Sequence, residues 1–339
     1  MVTEVTPEQR TGSSQPQRDG SARIKRVMLV ALLVVVLVVP VLQGGFTLFM
    51  ATESIVRAIA AVGLGLLIAH AGLLSLGHAA FFGLAGYGTA FITMNLTASP
   101  LVTLTVPVLV AVLYAAVTGL LALRSHGIFF VMLTLAFAQL LYAIAEQWIE
   151  VTRGSDGIAG IPRPDYLQSR EAFYVFSVLV LVAVIWGGNR VAHAPLGRVV
   201  SAARQNELKA KGVGYPVFVY RYLIFLISAG ITGLGGSLLV HHRGFVSPRE
   251  LFWVTSGIFV LMVLLGGGRS LLGAAVGAVV FVQLESYFTT VTDMWEMMVG
   301  FLLIGAVMTN YGRSIQSASR TIWRRVAGSR SRATTTVGS

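Results

Sequence analysis

The chain has 339 residues, of which 12% are charged and 55% are hydrophobic, and its mean hydropathy of +0.77 indicates an integral membrane protein. The net charge of +11 does not point to nucleic acid, because membrane proteins gather Lys and Arg on their cytoplasmic side and no aromatic-basic module interrupts the apolar runs. The absence of cysteine excludes disulfides, thiolate metal sites and iron–sulfur clusters.

The two ends of the chain are polar. Residues 1–26 are rich in Ser, Gln, Arg and Gly and lack hydrophobic periodicity, which predicts a disordered cytoplasmic tail. The apolar run 27–42 is predicted to be a first spanning helix, because no small-residue cleavage site follows it and hydrophobic segments continue. Residues 27–312 therefore form the predicted transmembrane domain, and the basic residues 313–339 form a second cytoplasmic tail near anionic lipid.

Apolar length predicts the fold class, an all-α integral membrane protein with a polytopic bundle of about 8–10 transmembrane segments. After the first helix, the predicted segments are 54–70, 75–95, 101–123, 128–147, 172–187, 222–240, 252–266, 271–290 and 294–311. Lys and Arg concentrate before residue 27, between residues 190 and 221, and after residue 312. This distribution predicts that both termini are cytoplasmic.

The longest polar interval in the middle of the chain is residues 195–221, here called the coupling segment. It carries one acid, Glu207, and five basic residues: Arg198, Arg204, Lys209, Lys211 and Arg221. Residues 198–211 contain neither Gly nor Pro and predict one short helix. Gly212, Gly214 and Pro216 predict its end and a turn back to the membrane.

Several enzyme classes are excluded by missing motifs. None of the three lysines follows a glycine, so the chain has no phosphate-binding loop and is not expected to hydrolyse ATP. It also lacks a G-x-S-x-G elbow and an H-E-x-x-H pair. We predict no catalytic residue, cofactor or metal on this chain, and the adjacent His241 and His242 are expected at an outer boundary.

The run 72–87, GLLSLGHAAFFGLAGY, is the most distinctive stretch in the membrane. Its glycines permit close helix approach or a helix break where neighbouring protein satisfies the freed amides. His78 is predicted either to hydrogen-bond a neighbouring segment or to contact a substrate path. The candidate path residues are Ser75, His78, Phe81 and Tyr87.

A second glycine pattern, at Gly273 and Gly277, predicts close packing inside the subunit or across a dimer.

The positions of the carboxylates test whether the chain is an ion-coupled carrier, because such carriers commonly need an ionisable residue near the membrane midplane. Most acids of this chain lie near segment ends, and Glu285 alone is placed deeper by the sequence.

The outer loop, residues 150–171, is dense in Gly and Pro and predicts a defined turn. There Asp156 either orients the backbone or meets a partner, and the alternative is a simple connector.

Five blocks, in this order, resemble the branched-chain amino acid ABC-transporter permeases, most closely the LivM-type subunit. They are GLLSLGHAAFFGLAGYG at 72–88, GIFFVMLTLAFAQ at 127–139, RGSDGIAGIPRP at 153–164, PLGRVVSAARQNELKAKGVG at 195–214 and GFVSP at 244–248. The resemblance extends from about residue 55 to residue 311. Two positions depart from the family pattern: His70 stands where an aromatic is common, and Arg153 replaces a usual small residue.

The resemblance implies a large-solute (type II) ABC importer in the bacterial plasma (inner) membrane. Its implied partners are a second permease subunit (LivH-type), two cytoplasmic ATPase subunits that hold ATP and Mg, and an extracytoplasmic solute-binding protein. The implied solutes are branched-chain (hydrophobic) amino acids, and similar proteins carry urea or short amides. An ion-coupled secondary carrier is the alternative from a different class.

The resemblance also implies site residues. Part of the coupling segment would seat in a groove of the ATPase through Arg198, Arg204, Asn206, Glu207, Leu208 and Gly212. An amphipathic helix on anionic lipid is the alternative interpretation. The outer loop would dock the binding protein, with Asp156, Gly157 and Pro162 as the candidate contacts.

Overall fold

The computed structural model describes residues 44–97, 99–164, 167–291, 294, 297, 300 and 301. Its helices are α1 (Gly45–Leu66), α2 (His78–Asn95), α3 (Pro100–Ala122), α4 (Ile128–Gln147), α5 (Ile149–Thr152), α6 (Arg170–His193), α7 (Pro195–Gln205), α8 (Glu207–Gly212), α9 (Val217–Arg243), α10 (Trp253–Leu265) and α11 (Leu271–Val291). A π-helical turn, Leu67–Ala71, extends α1. One small antiparallel sheet pairs β1 (Ile158–Ala159) with β2 (Phe245–Val246).

The all-α membrane fold predicted from the sequence is confirmed. Six of these helices are long and apolar enough to cross a membrane: α1 with its π turn, α3, α4, α6, α9 and α11. Each predicted segment between residues 54 and 290 coincides with a helix. The predicted helix 27–42, both tails and most of the segment 294–311 lie outside the described residues.

The predicted helix bounds are several residues too short at some ends. Helix α6 continues through Arg190 to His193, and α9 begins at Val217 and includes both Arg221 and Arg243. The sequence interpretation ended segments at charged residues. Arginine has a long apolar stem, so a helix can extend through it while its guanidinium reaches a polar partner.

Helix α9 is central, because it packs against α1, α2 and α3. Close approach depends on its small residues: a Cβ at Gly236 would overlap the backbone of Phe82 in α2. The Ser228 hydroxyl donates to the Gly63 carbonyl at 2.6 Å, and the Thr232 hydroxyl donates to the Ala60 carbonyl at 3.3 Å. These polar groups are satisfied by α1 and tie the two helices together.

Helices α10 and α11 form a close glycine-mediated pair within the subunit. Gly273 packs against the backbone of Gly266, and a Cβ at Gly277 would overlap the Met262 carbonyl. The turn between the helices contains Gly267 and Gly268 at φ values of 91° and 65°. The glycine spacing therefore serves packing inside one subunit, as the first of the two predicted alternatives states.

Candidate functional site

The coupling segment folds as two helices, so the prediction of one helix over 198–211 is wrong. Helix α7 ends at Gln205, α8 begins at Glu207, and Asn206 between them has an extended backbone with φ −156° and ψ 100°. The Asn206 side-chain oxygen accepts a hydrogen bond from the Lys209 amide at 2.9 Å. Asparagine is a strong N-cap residue, so it ends one helix and starts the next.

The predicted stop after the coupling segment is confirmed. Helix α8 ends at Gly212, Gly214 has a φ of 94°, and α9 begins at Val217 after Pro216. A positive φ costs a glycine nothing and an L-residue with a Cβ considerably more. The chain therefore turns from α8 into α9 within four residues.

Glu207 binds within its own chain. Its Oε1 lies 2.7 Å from Lys211 Nζ, and its Oε2 accepts a hydrogen bond from Arg221 Nη1 at 2.8 Å. The hydrogen bond from Lys211, helped by Arg221 and opposed by partial burial, lowers the pKa of the Glu207 carboxyl to about 2. The carboxylate therefore holds α8 against the first turns of α9.

Arg204 connects the coupling segment to the break after α1. Its Nη1 donates to the carbonyl of Ala69 in the π-helical turn. Gly72 ends that turn with a φ of 66°, and a Cβ there would stand 2.9 Å from Arg204 Cγ. The arginine thus binds one carbonyl at a helix C-terminus, where a cation is also favoured by the helix dipole.

Other coupling residues face outward. Leu208 is 83% exposed, Val213 is 76% exposed, and Arg198 is also exposed. A groove of about 980 Å³ runs beside them; among its lining residues are Arg198, Gln205, Asn206, Lys209 and Tyr215. This surface offers apolar and cationic groups to a partner.

His78 is fully buried at a junction of three segments. Its Nε2 lies 2.8 Å from Ser228 Oγ and its Nδ1 lies 3.1 Å from Ser75 Oγ. Because the Ser228 hydroxyl donates to the Gly63 carbonyl, its oxygen accepts from His78, which places the imidazole proton on Nε2. A histidine that hydrogen-bonds through both ring nitrogens matches the predicted alternative of a bond to a neighbouring segment.

The four candidate path residues do not form one group. Ser75, His78 and Phe81 lie together, with the Phe81 and His78 ring centroids 5.4 Å apart. Tyr87 lies elsewhere, in a cluster with Ile158 and Val246 of the outer loop region. All four are buried in the single chain, and their place on a substrate path stays a prediction.

The outer loop is fixed to the end of α9. Sheet pairing joins Ile158 to Val246, and Arg163 donates through Nε and Nη2 to the carbonyls of His241 and His242 at 3.0 and 2.9 Å. A guanidinium thus satisfies terminal carbonyls of α9. The sequence analysis missed this role of Arg163.

The three candidate docking residues have different environments. Asp156 and Pro162 are exposed, and Gly157 is buried with a φ of 69° against the backbone of Val246. Gly157 therefore shapes the loop, and the other two remain available for contact. Arg153 is the one non-glycine residue of the described part with a positive φ, 61°, a backbone conformation that is uncommon for residues with a Cβ.

A partly buried ion-pair network, with Glu53 at its buried centre, joins α1, α9 and α11. Glu53 pairs with Arg57 at 2.8 Å and with Arg243 at 2.6 Å, Arg57 pairs with Glu285 at 2.6 Å, and Arg243 pairs with Glu250 at 2.9 Å. Glu53 is only 3% exposed. The i,i+4 spacing of Glu53 and Arg57 was visible in the sequence, whereas the distant partners required the fold.

Among the described residues, no group of three or more His, Asp or Glu side chains is placed to hold a metal ion.

Comparison with known proteins identifies the family. A sequence model described as "Branched-chain amino acid transport system / permease component" matches residues 46–307. The LivM permease proteins of the high-affinity branched-chain amino acid transport systems of Escherichia coli and Salmonella typhimurium are 26% and 25% identical over 85% of this chain and 74% of their own.

The name of a third relative specifies a solute other than branched-chain amino acids. The autoinducer 2 import system permease protein LsrC of Klebsiella pneumoniae is 27% identical over 49% of this chain and 52% of its own. No solved structure matches the chain. The family match covers most of the membrane domain and agrees with its apolar helices, so this multi-pass inner-membrane protein belongs to the branched-chain amino acid transport system permease family.

Proposed function

We propose that the chain is the permease subunit of an ATP-binding-cassette importer that moves branched-chain amino acids inward, driven by separate ATPase subunits. The observation that carries this proposal is the contact of Arg204 with the π-helical turn of α1, within a chain of this permease family. A segment that only rested on lipid would not need to bond the end of a membrane helix. Here a displacement of α7 must act directly on α1.

The proposed coupling uses two sets of residues. The exposed side chains Arg198 and Leu208, with Asn206 in the adjoining groove, meet the ATPase. Arg204 and Glu207 then transmit the movement, the first to α1 and the second through Arg221 to α9. Gly212 ends α8, and Gly214, with a φ of 94°, turns the chain towards α9. ATP binding elsewhere shifts the population between inward-facing and outward-facing states.

The proposed assembly is a type II importer with a LivH-type second permease subunit and two cytoplasmic ATPase subunits that bind ATP and Mg. This chain takes no cofactor and binds no nucleic acid. The coupling segment and both termini are cytoplasmic in this proposal, following the positive-inside rule. At the opposite end of α9, the outer loop presents Asp156 and Pro162 to an extracytoplasmic binding protein.

Coupling is tested with Arg204→Gln in the purified transporter. We expect normal assembly with the ATPase and a loss of ATPase stimulation by the loaded binding protein, because the contact with α1 is gone. Arg269→Gln is the matched control, since Arg269 is exposed in the turn between α10 and α11. Equal stimulation of both variants and the wild type would contradict the assigned role.

The solute is proposed from the two LivM relatives, whose names specify branched-chain amino acids. Urea or a short amide is the runner-up, and the LsrC match shows that similar chains serve other solutes. The test is uptake of labelled leucine, isoleucine, valine, urea and short amides by cells with and without the gene. Gene-dependent uptake of urea alone would replace the proposed solute.

The ion-coupled carrier loses its motivating observation. Glu285 is paired with Arg57 at 2.6 Å and its side chain is 20% exposed, so it is not an isolated buried acid. Reconstitution of the chain alone under an imposed proton or sodium gradient separates the two classes. Uptake without ATP and without other subunits would favour the carrier.

A further inference from the structure

A cavity of about 490 Å³ opens beside the ion-pair network, at the end of α9 farthest from the coupling segment. Cavities of about 300–1,000 Å³ are typical of small-molecule sites. Charged side chains from α1, α9, α11 and the turn before α10 meet in its wall: Arg57, Arg243, Arg249, Glu250 and Glu285. Both signs of charge are thus present in the wall of one cavity.

The pairing of these charges leaves groups available to a ligand. Glu250 and Glu285 each use one carboxylate oxygen in an ion pair, with Arg243 and Arg57 respectively. Arg249 is exposed and forms no ion pair with any residue that the structure describes. The cavity therefore offers a guanidinium for an anionic group and carboxylate oxygens for a cationic one.

The remaining wall is apolar. Phe82 and Phe259 meet edge to face with centroids 5.1 Å apart, and Phe252, Val254 and Ile258 line the same cavity. An aliphatic side chain of a ligand can be buried against these groups.

We propose that this cavity is a binding site on the permease itself for the zwitterion of an apolar α-amino acid. The carboxylate pairs with Arg249, the ammonium pairs with Glu250 and Glu285, and the aliphatic side chain packs against the phenylalanines. This inference rests on the proposed function, since it specifies where the permease would recognise that solute. The ion-pair network supports the site by fixing the orientation of both carboxylates.

The test separates recognition from a purely structural role of the charges. The assembled transporter, without its binding protein, is placed in lipid nanodiscs, and equilibrium binding of labelled leucine is measured. Arg249→Gln should raise the Kd about tenfold or more, because one charge-assisted contact is lost. Arg269→Gln, the same change in the turn at the other end of α10, should leave the Kd unchanged.

Two analogues test the zwitterion requirement on the wild-type protein. The hydroxy acid 2-hydroxy-4-methylpentanoate lacks the ammonium and 3-methylbutylamine lacks the carboxylate, so each should compete at least about tenfold more weakly than leucine. Absence of leucine binding, an unchanged Kd in Arg249→Gln, or equal competition by either analogue would overturn the site. Leucine uptake by whole cells that contain the binding protein reports separately on the proposed function.

Discussion

Glu53 should be the most important single charge for the stability of the membrane domain. Its side chain is 4% exposed, and its carboxylate accepts from Arg57 Nε at 2.8 Å and from Arg243 Nη2 and Nε at 2.6 and 3.1 Å. In Glu53→Gln, the new amide group would face two guanidinium groups. Breaking a buried pair in this way costs about 3–5 kcal/mol.

Glu285 provides the matched comparison. It makes one ion pair, with Arg57, and its side chain is 20% exposed, so Glu285→Gln should cost no more than about 1 kcal/mol. At about 2 °C per kcal/mol, Glu53→Gln should lower the unfolding midpoint by about 6–10 °C and Glu285→Gln by about 2 °C. The midpoints are measured by thermal unfolding of the detergent-solubilised protein.

Glu150→Gln, a change at an exposed acid, controls for the loss of one negative charge. The double variant Glu53→Gln with Arg243→Gln should recover part of the loss, because the uncompensated guanidinium is also removed. Equal shifts for Glu53→Gln and Glu285→Gln would refute the reasoning, since the two sites differ chiefly in burial and in number of partners.

Three further predictions concern local geometry. Asn206→Ala should destabilise α8 by about 0.5–2 kcal/mol through loss of its N-cap, read as faster proteolysis of the coupling segment, and Asn206→Asp should retain the wild-type rate. The lowered pKa of Glu207, held by Lys211, means that its stabilisation is present above pH 4.5 and lost as the pH falls towards 2. The midpoint difference between wild type and Glu207→Gln should therefore shrink as the pH falls below 4.5. Gly277→Ala should lower the yield of folded protein because a Cβ there overlaps the facing backbone, whereas Gly257→Ala, with open space around it, should not.

Each of these has a contrary result. Equal rates of proteolysis in Asn206→Ala and Asn206→Asp would show that the side-chain oxygen does not stabilise the start of α8. A midpoint difference that does not shrink below pH 4.5 would show that the Glu207 carboxylate does not stabilise the fold through its ion pairs. Equal yields of the two alanine variants would show that α10 and α11 can separate without cost.

The helical segments were predictable because spanning lipid requires long apolar runs whose backbone groups bond within the segment. The break at Asn206 was harder, since the flanking residues are good helix formers and only the side-chain cap divides them. The sequence order also contained no information that Arg243 would meet Glu53, because 190 residues separate them. Tyr87 was grouped with His78 by proximity along α2, yet the two side chains face different neighbours.

Helix α9 is long enough that a small tilt produces a large displacement at one end. Its 27 residues form a rod about 40 Å long, whose first turns are tied to the coupling segment by Arg221 and whose last carbonyls are held by Arg163. A tilt of about 5° about one end of such a rod moves the other end by about 3.5 Å, by simple lever geometry on that length. If the end tied to the coupling segment is the pivot, the outer loop and the cavity beside it lie at the end of α9 that moves most.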